Sequence, residues 1–252
     1  MEKPILMKIS GHHIADPVFL SELALIVRRS EQPVIIVHGG GVEITRMQEL
    51  MGIEPQYVNG LRVTDAKTLE MVEMVLCGVV NKRLVRYLVN AGVNAMGMSG
   101  VDQGLIRAKP LSPDMGYTGD VESVQVDIIQ NMLNQGITPV IAPVCIGDES
   151  NLNVNADSVA SAIAIAVDVS QVIFVSNVAG ILIDGTIKEY LTVKESNALI
   201  EDGTVFGGMI PKVEATLNII ASGVQAVKIT NLDGLKSNSG TVIKPDPVSI
   251  LK

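Results

Sequence analysis

Tryptophan is absent from this 252-residue chain, and aromatic residues of all kinds make up only 3% of it. Stacking platforms of the kind that hold single-stranded nucleic acid are therefore excluded. Positive charge is also in short supply: 19 Lys and Arg against 27 Asp and Glu leave a net charge of −8, without the basic face that polyanion binding needs. A small anionic ligand would have to be attracted by a few local cations and by helix N-termini. Only two cysteines occur, Cys77 and Cys145, both in apolar surroundings and without C-x-x-C spacing, so reduced core thiols and a cytoplasmic protein are expected. Long hydrophobic runs are missing too. The greasiest stretch, 159–182, is interrupted by Asp168, Ser170, Gln171 and Asn177, and the apolar part of the opening MEKPILMKIS is too short for a secretion signal.

What is present is alternation. Short β-branched runs at 4–9, 33–37, 93–98, 138–142, 172–176 and 226–230 read as buried strands. Between them lie helical patterns. Asp16-Pro17 opens a helix reaching about Arg29, Thr64-Asp65 opens a long one, and 156–167, 192–202 and 209–222 read as three more, the last two stopped by Gly203 and Gly223. This alternation predicts an α/β fold with a mainly parallel sheet covered on both faces. Residues 100–125 read as a hairpin-rich insertion. With no linker or repeat, two lobes around one continuous sheet are expected.

In such sheets ligands bind beyond the carboxyl ends of the strands. Lys8, the HGGG of 38–41 and the SNVAG of 176–180 all fall there. HGGG also occurs as the oxyanion loop of esterases, but no G-x-S-x-G is present and no histidine follows His38, which removes a serine hydrolase. Walker A and G-x-G-x-x-G fingerprints are absent. His12, His13 and His38 lack a ligand set for a metal and read as a loop pair and a strand-end histidine. Taken singly, Lys8 reads as a lysine snorkelling from a strand end, Lys212 and Arg62 as surface cations, and Asn153, Asn155 and Asp157 as helix caps. Together they suit phosphoryl transfer, in which charge spread over the moving group's oxygens is met by cations and main-chain donors.

Through VHGGG (37–41), VNGLRVTD (58–65), NVNAD (153–157), SNVAGIL (176–182) and GGMIPKVEA (207–215), essentially the whole chain resembles the amino acid kinase family, its acetylglutamate-phosphorylating branch above all. The resemblance implies one domain over 1–252, a three-layer α/β/α sandwich. A lobe of about 1–170 would bind the amino acid and form a homodimer, and a lobe of about 171–252 would bind ATP. It also implies phosphorylation of the side-chain carboxylate of N-acetyl-L-glutamate in arginine biosynthesis. Lys8 and Lys212 then stabilise the transition state and Asp157 organises them. Gly40, Gly41, Arg62 and Asn153 hold the substrate, Arg62 by its α-carboxylate. Ser176, Asn177, Val178, Ala179, Gly180 and Ile181, with Gly203, Thr204, Val205 and Phe206, hold ATP, whose phosphates carry Mg²⁺, and no metal site belongs to the chain itself. The partners are these small molecules, with no nucleic acid and no membrane.

Two positions depart from the family pattern. Ser10-Gly11 replaces two glycines. Asn177 replaces a common aspartate, as in the branch that phosphorylates carrier-protein-linked aminoadipate or glutamate, which stays open although an acidic carrier would be repelled by a net charge of −8. A ligand sensor with the kinase fold but no catalysis is the other alternative. Arginine-inhibited members carry an extra N-terminal helix, and a first strand beginning almost at Met1 leads to the expectation of an arginine-insensitive dimer.

Overall fold

The computed structural model describes residues 2–247. Eleven strands form one sheet among these residues. From one edge the order is Tyr190–Thr192, Thr241–Lys244, Val227–Thr230, Gln171–Val175, Ile5–Ile9, Val34–His38 and Thr138–Ile146, continuing through Ile106–Pro110, Thr118–Val124 and Asn151–Val154. Ala95–Gly100 joins it beside Thr138–Ile146. The run from Val227–Thr230 to Thr138–Ile146 is parallel throughout, so the carboxyl ends of its strands share one edge. The hairpin expected in 100–125 is present as the antiparallel pair Ile106–Pro110 and Thr118–Val124.

Parallel strands are covered on both faces, which is why Ile5–Ile9 and Val34–His38 read as unbroken apolar runs. Alternate side chains build two cores. Leu6, Val37 and Phe174 join one, packed under the helices Val126–Asn134, Ala156–Val167 and Ile210–Ala221. Met7, Ile9, Ile36 and Ile173 join the other, under Pro17–Arg29 and the long helical run from Ala66 to Asn90. Lys8 pairs in register with Val37 and Phe174, which puts it on the first of these faces.

The helix starts follow their caps. Asp16 accepts from the Val18 and Phe19 N–H groups ahead of Pro17, and Asp65 accepts from Thr68 N–H. The run opened by Asp65 widens into a π-helix over Met74–Val80 before resuming as Asn81–Asn90. The sequence carries no signal for that widening. The strand expected at 93–98 lies at Ala95–Gly100, because Gly92, at φ +85°, closes the preceding helix and Val93 N–H still bonds back to Leu88. Short helices at Val126–Asn134 and Leu232–Ser237 add to those the sequence predicts. Cys77 and Cys145 are free thiols, pushed up to about 11 and about 12 by burial, which keeps them unreactive. Among the described residues, no helix is long and apolar enough to cross a membrane.

Candidate active site

Four chain segments meet at the carboxyl edge of the parallel strands. Lys8 comes from the strand Ile5–Ile9, Asp157 from the first turn of Ala156–Val167, Lys212 from the first turn of Ile210–Ala221, and Ser176 from the end of Gln171–Val175. All four line one cleft of about 180 Å³, with Ser10 and Phe174. Asn155 caps the helix of Asp157 by accepting from the Asp157 N–H at 2.7 Å, which turns that carboxylate toward the sheet edge.

Lys8 Nζ lies 2.9 Å from Asp157 Oδ1 and 5.4 Å from the centre of the Phe174 ring, so it has a carboxylate on one side and an aromatic face on the other. The carboxylate pair is held by charge, since Asp157 Oδ1 has no partner in hydrogen-bond geometry. Lys212 is held differently. Its Nζ donates to Asn177 Oδ1 at 2.6 Å, a neutral partner. Burial, and after it the nearby Lys8 ammonium, lower its pKa below the ordinary lysine value. Two cations therefore share a cleft, one neutralised by a carboxylate and one not.

Beside the cleft, two glycine loops interlock. A Cβ on Gly11 would stand 2.9 Å from the Gly40 nitrogen, and one on Gly40 would stand 2.4 Å from Leu76 Cδ2, a π-helix side chain. Backbone meets backbone at Gly11, whereas Gly40 is kept bare by the Leu76 and Val80 side chains. Gly41 has no such neighbour: a Cβ there would meet nothing within 4 Å, so it opens the helix Gly41–Leu50 toward free space, with no side-chain cap on its N–H groups.

Arg62 is not the surface cation that it reads as when taken singly. Only 7% exposed, it lies against the helix Gly41–Leu50. It donates to Gln48 Oε1, to Thr45 Oγ1 at 2.8 Å and to Gly41 O at 3.0 Å, with the Tyr57 ring beneath its guanidinium at 4.8 Å. Burial lowers its pKa, yet an arginine stays charged, and among the described residues two of its five N–H groups have no partner. Asn153 donates Nδ2–H to Thr64 Oγ1 at 3.0 Å, which leaves its carbonyl oxygen available. Thr118 bonds both the Arg62 carbonyl, at 2.6 Å, and Thr64 Oγ1, at 3.0 Å, fastening this group to the central hairpin. In the sequence no motif marks Gln48 or Thr118, and Thr64 reads only as part of a helix start. A buried glutamine within an amphipathic helix is the one signal that could have drawn attention.

The remaining candidates lie further along the same edge. Val178 N–H donates to Ser176 Oγ at 3.3 Å, and Ile181 N–H to Thr241 Oγ1 at 2.7 Å, so 176–181 is folded against the strand Thr241–Lys244. Asp202 accepts from Thr204 N–H at 2.8 Å, and Phe206 is 75% exposed just ahead of the turn that leads into the helix of Lys212. Neither Gly203 nor any residue of 204–206 lines the cleft of the two lysines. His38 plays a structural part: fully buried, it bonds the Gly39 carbonyl through Nδ1 at 3.0 Å and receives Asn81 Nδ2 at Nε2 at 3.1 Å.

The amino acid kinase family model matches residues 3–231. A protein of Roseiflexus sp. (strain RS-1) named acetylglutamate kinase is 46% identical over 242 residues, covering 95% of this chain and 93% of that protein. One of the same name from Methanopyrus kandleri is 43% identical over 246 residues, covering 93% and 98%. Among solved structures, a Streptococcus mutans UA159 protein superposes with a TM-score of 0.82 at 31% identity, covering 98% of this chain and 100% of that one.

Proposed function

This chain belongs to the amino acid kinase family, and we propose that it transfers the γ-phosphoryl group of ATP to the side-chain carboxylate of N-acetyl-L-glutamate. The product is N-acetyl-L-glutamyl 5-phosphate, an acyl phosphate of arginine biosynthesis. One observation carries this reading: Lys8 and Lys212, from distant parts of an acidic chain, line one cleft with Asp157.

A carboxylate oxygen attacks phosphorus while the bond to the nucleotide's leaving oxygen breaks, and negative charge spreads over the three equatorial oxygens between them. Lys8, fixed by Asp157, and Lys212, released from Asn177, meet that charge. The acceptor lies over Gly40 and Gly41, its α-carboxylate on the free N–H groups of Arg62 and its acetamido N–H on the carbonyl oxygen of Asn153. ATP lies along 176–181 and 203–206. Mg²⁺ would be carried on its phosphates, where it would offset their charge. Among the described residues Asp157 is the one carboxylate lining the cleft, and it is already engaged by Lys8. At about 180 Å³ the cleft has room for the transferring group and its neighbours rather than a whole nucleotide, which suits a crossing point between two lobes, about 1–170 and about 171–252. Residues 248–252 of the second lobe, and Met1 of the first, lie outside the described residues. A cytoplasmic homodimer joined through the first lobe completes the reading.

Asn177 favours a second acceptor, an aminoadipate or glutamate linked to a carrier protein. A coupled assay of ADP release with N-acetylglutamate, free glutamate, free aspartate and carrier-linked aminoadipate separates the two. Turnover with N-acetylglutamate is the expected result, and turnover only with another acceptor retires the substrate assignment.

A further inference from the structure

Ser10 follows the strand that carries Lys8 and lines the same cleft as Lys8 and Lys212. Its main chain is fixed from two directions. Its N–H donates to Val175 O at 3.3 Å, and the next residue, Gly11, is wedged against the backbone of Gly40. The hydroxyl lies 3.2 Å from Nδ1 of His12, an exposed residue. We propose that Ser10 is a further catalytic residue, donating its hydroxyl hydrogen to an equatorial oxygen of the transferring phosphoryl group, and that His12 is a positioning residue that aims it. This inference rests on the phosphoryl-transfer reading above.

The moving group presents three equatorial oxygens, and the two lysines account for donors on two sides. Ser10 lines the cleft from the loop that follows the strand of Lys8, and so offers a third donor there. A serine has one hydrogen and two lone pairs. If that hydrogen pointed at His12, nothing would remain for the phosphoryl group. With Nδ1 protonated and donating to Ser10 Oγ, the hydroxyl hydrogen is left to face the cleft, and Nε2 accepts from solvent. Ser10 keeps its proton and forms no covalent bond. The only bond made is from the acceptor oxygen to phosphorus, and the only one broken is from phosphorus to the departing nucleotide.

The test compares wild type with S10A, S10G, H12A, H12N and the double variant S10A/H12A. Steady-state turnover is measured with ATP and whichever acceptor wild type uses, and calorimetry measures binding of ADP with and without aluminium fluoride, a mimic of the moving phosphoryl group. S10A and S10G are expected to lower kcat on the order of 10-fold and leave both KM values within about 2-fold, the signature of a hydrogen bond to charge made in the transition state. They are also expected to lose the fluoroaluminate-dependent part of ADP binding. H12A falls short of that loss, H12N restores most of the turnover because its amide N–H replaces Nδ1–H, and the double variant is no slower than S10A. Unchanged kcat in S10A, or a loss confined to KM, overturns the role of Ser10. Additive losses in the double variant overturn that of His12. If wild type uses no carboxylate acceptor yet binds ADP with fluoroaluminate in a Ser10-dependent way, the proposed function fails and the role of Ser10 stands. Wild type that does neither overturns both.

Discussion

Lys8 and Lys212 repel one another across a small cleft, and the protein offsets that repulsion unequally, with a carboxylate beside one and an amide beside the other. The remaining positive charge is available to a phosphoryl group. Replacing either lysine by alanine is therefore expected to lower kcat on the order of 100-fold or more, read in the ADP-release assay, while the fold, followed by circular dichroism, is kept. Unchanged turnover would remove that lysine from the reaction. Arg62→Lys tests the substrate side: the lysine keeps the charge but loses the fork that reaches Gln48, Thr45 and Gly41 at once. KM for the acylated amino acid is expected to rise about 10-fold or more with KM for ATP unchanged, since at least one charge-assisted bond is lost. His38 gives a residue-scale prediction about stability. Burial holds it neutral, with its pKa lowered from 6.5 to about 4. As pH falls, the unfolded chain takes up this proton first. Its contribution is thus full above about pH 6.5, shrinks as pH falls toward about 4, and amounts to at most about 3 kcal/mol. Urea midpoints measured between pH 4.5 and 7 should slope upward with pH in wild type and less steeply in His38→Gln. Equal slopes would place the titration elsewhere.

At the scale of elements, the candidate site is two loops and three helix starts held at one sheet edge, and the interlocked glycines set their spacing. Gly11→Ala drives a methyl group into the backbone of Gly40, which cannot move aside as a side chain can, so a loss of about 1–3 kcal/mol is expected, with weaker binding of both substrates. Gly41→Ala meets open space. Its melting temperature should match wild type, and a rise in KM for the acceptor would then report contact with the substrate itself. Failure of the two variants to differ in melting temperature would refute the packing account. The same elements show what a sequence can reveal. Buried parallel strands declare themselves as apolar runs, and the Asp16, Asp65 and Asn155 caps mark helix starts within a residue or two. The π-helix at Met74–Val80 did not declare itself, because widening a helical turn changes no periodicity that a short window can resolve. Nor did the pairing of Lys212 with Asn177, or of Arg62 with Gln48, since each depends on which loop ends the sheet order brings together. Lys8, Asp157 and Lys212 were legible as residue types, while the unequal partnering that distinguishes the two lysines belongs to the tertiary structure.

For the whole molecule, the question is whether the two proposed lobes, about 1–170 and about 171–252, are separable. The strand Ile5–Ile9 pairs with Val34–His38 on one side and with Gln171–Val175 on the other, so the first lobe's central strand is also the inner neighbour of the second lobe's sheet. One core cluster runs from Leu6 through Val159 and Val227 to Ile243, and the other includes both Met7 and Ile173. Cutting the chain at 170 would expose the outer side of Ile5–Ile9 and strip the helix Ala156–Val167 of its contacts with Ile210–Ala221. Exposing apolar surface on both sides of that cut removes stabilisation from a domain whose net stability is only about 5–15 kcal/mol. The full chain is therefore expected to unfold in a single calorimetric transition whose van't Hoff and calorimetric enthalpies agree, counted per cooperative unit, and the fragment 1–170 to lack a cooperative transition of its own. Closure of the proposed lobes over the two lysines would then have to twist a shared sheet, with changes concentrated in the loops at 10–13 and 176–181, rather than swing one body about a linker. Two resolved transitions, or a cooperatively folding fragment, would restore the hinged alternative and detach the convergence of Lys8 and Lys212 from the continuity of the sheet.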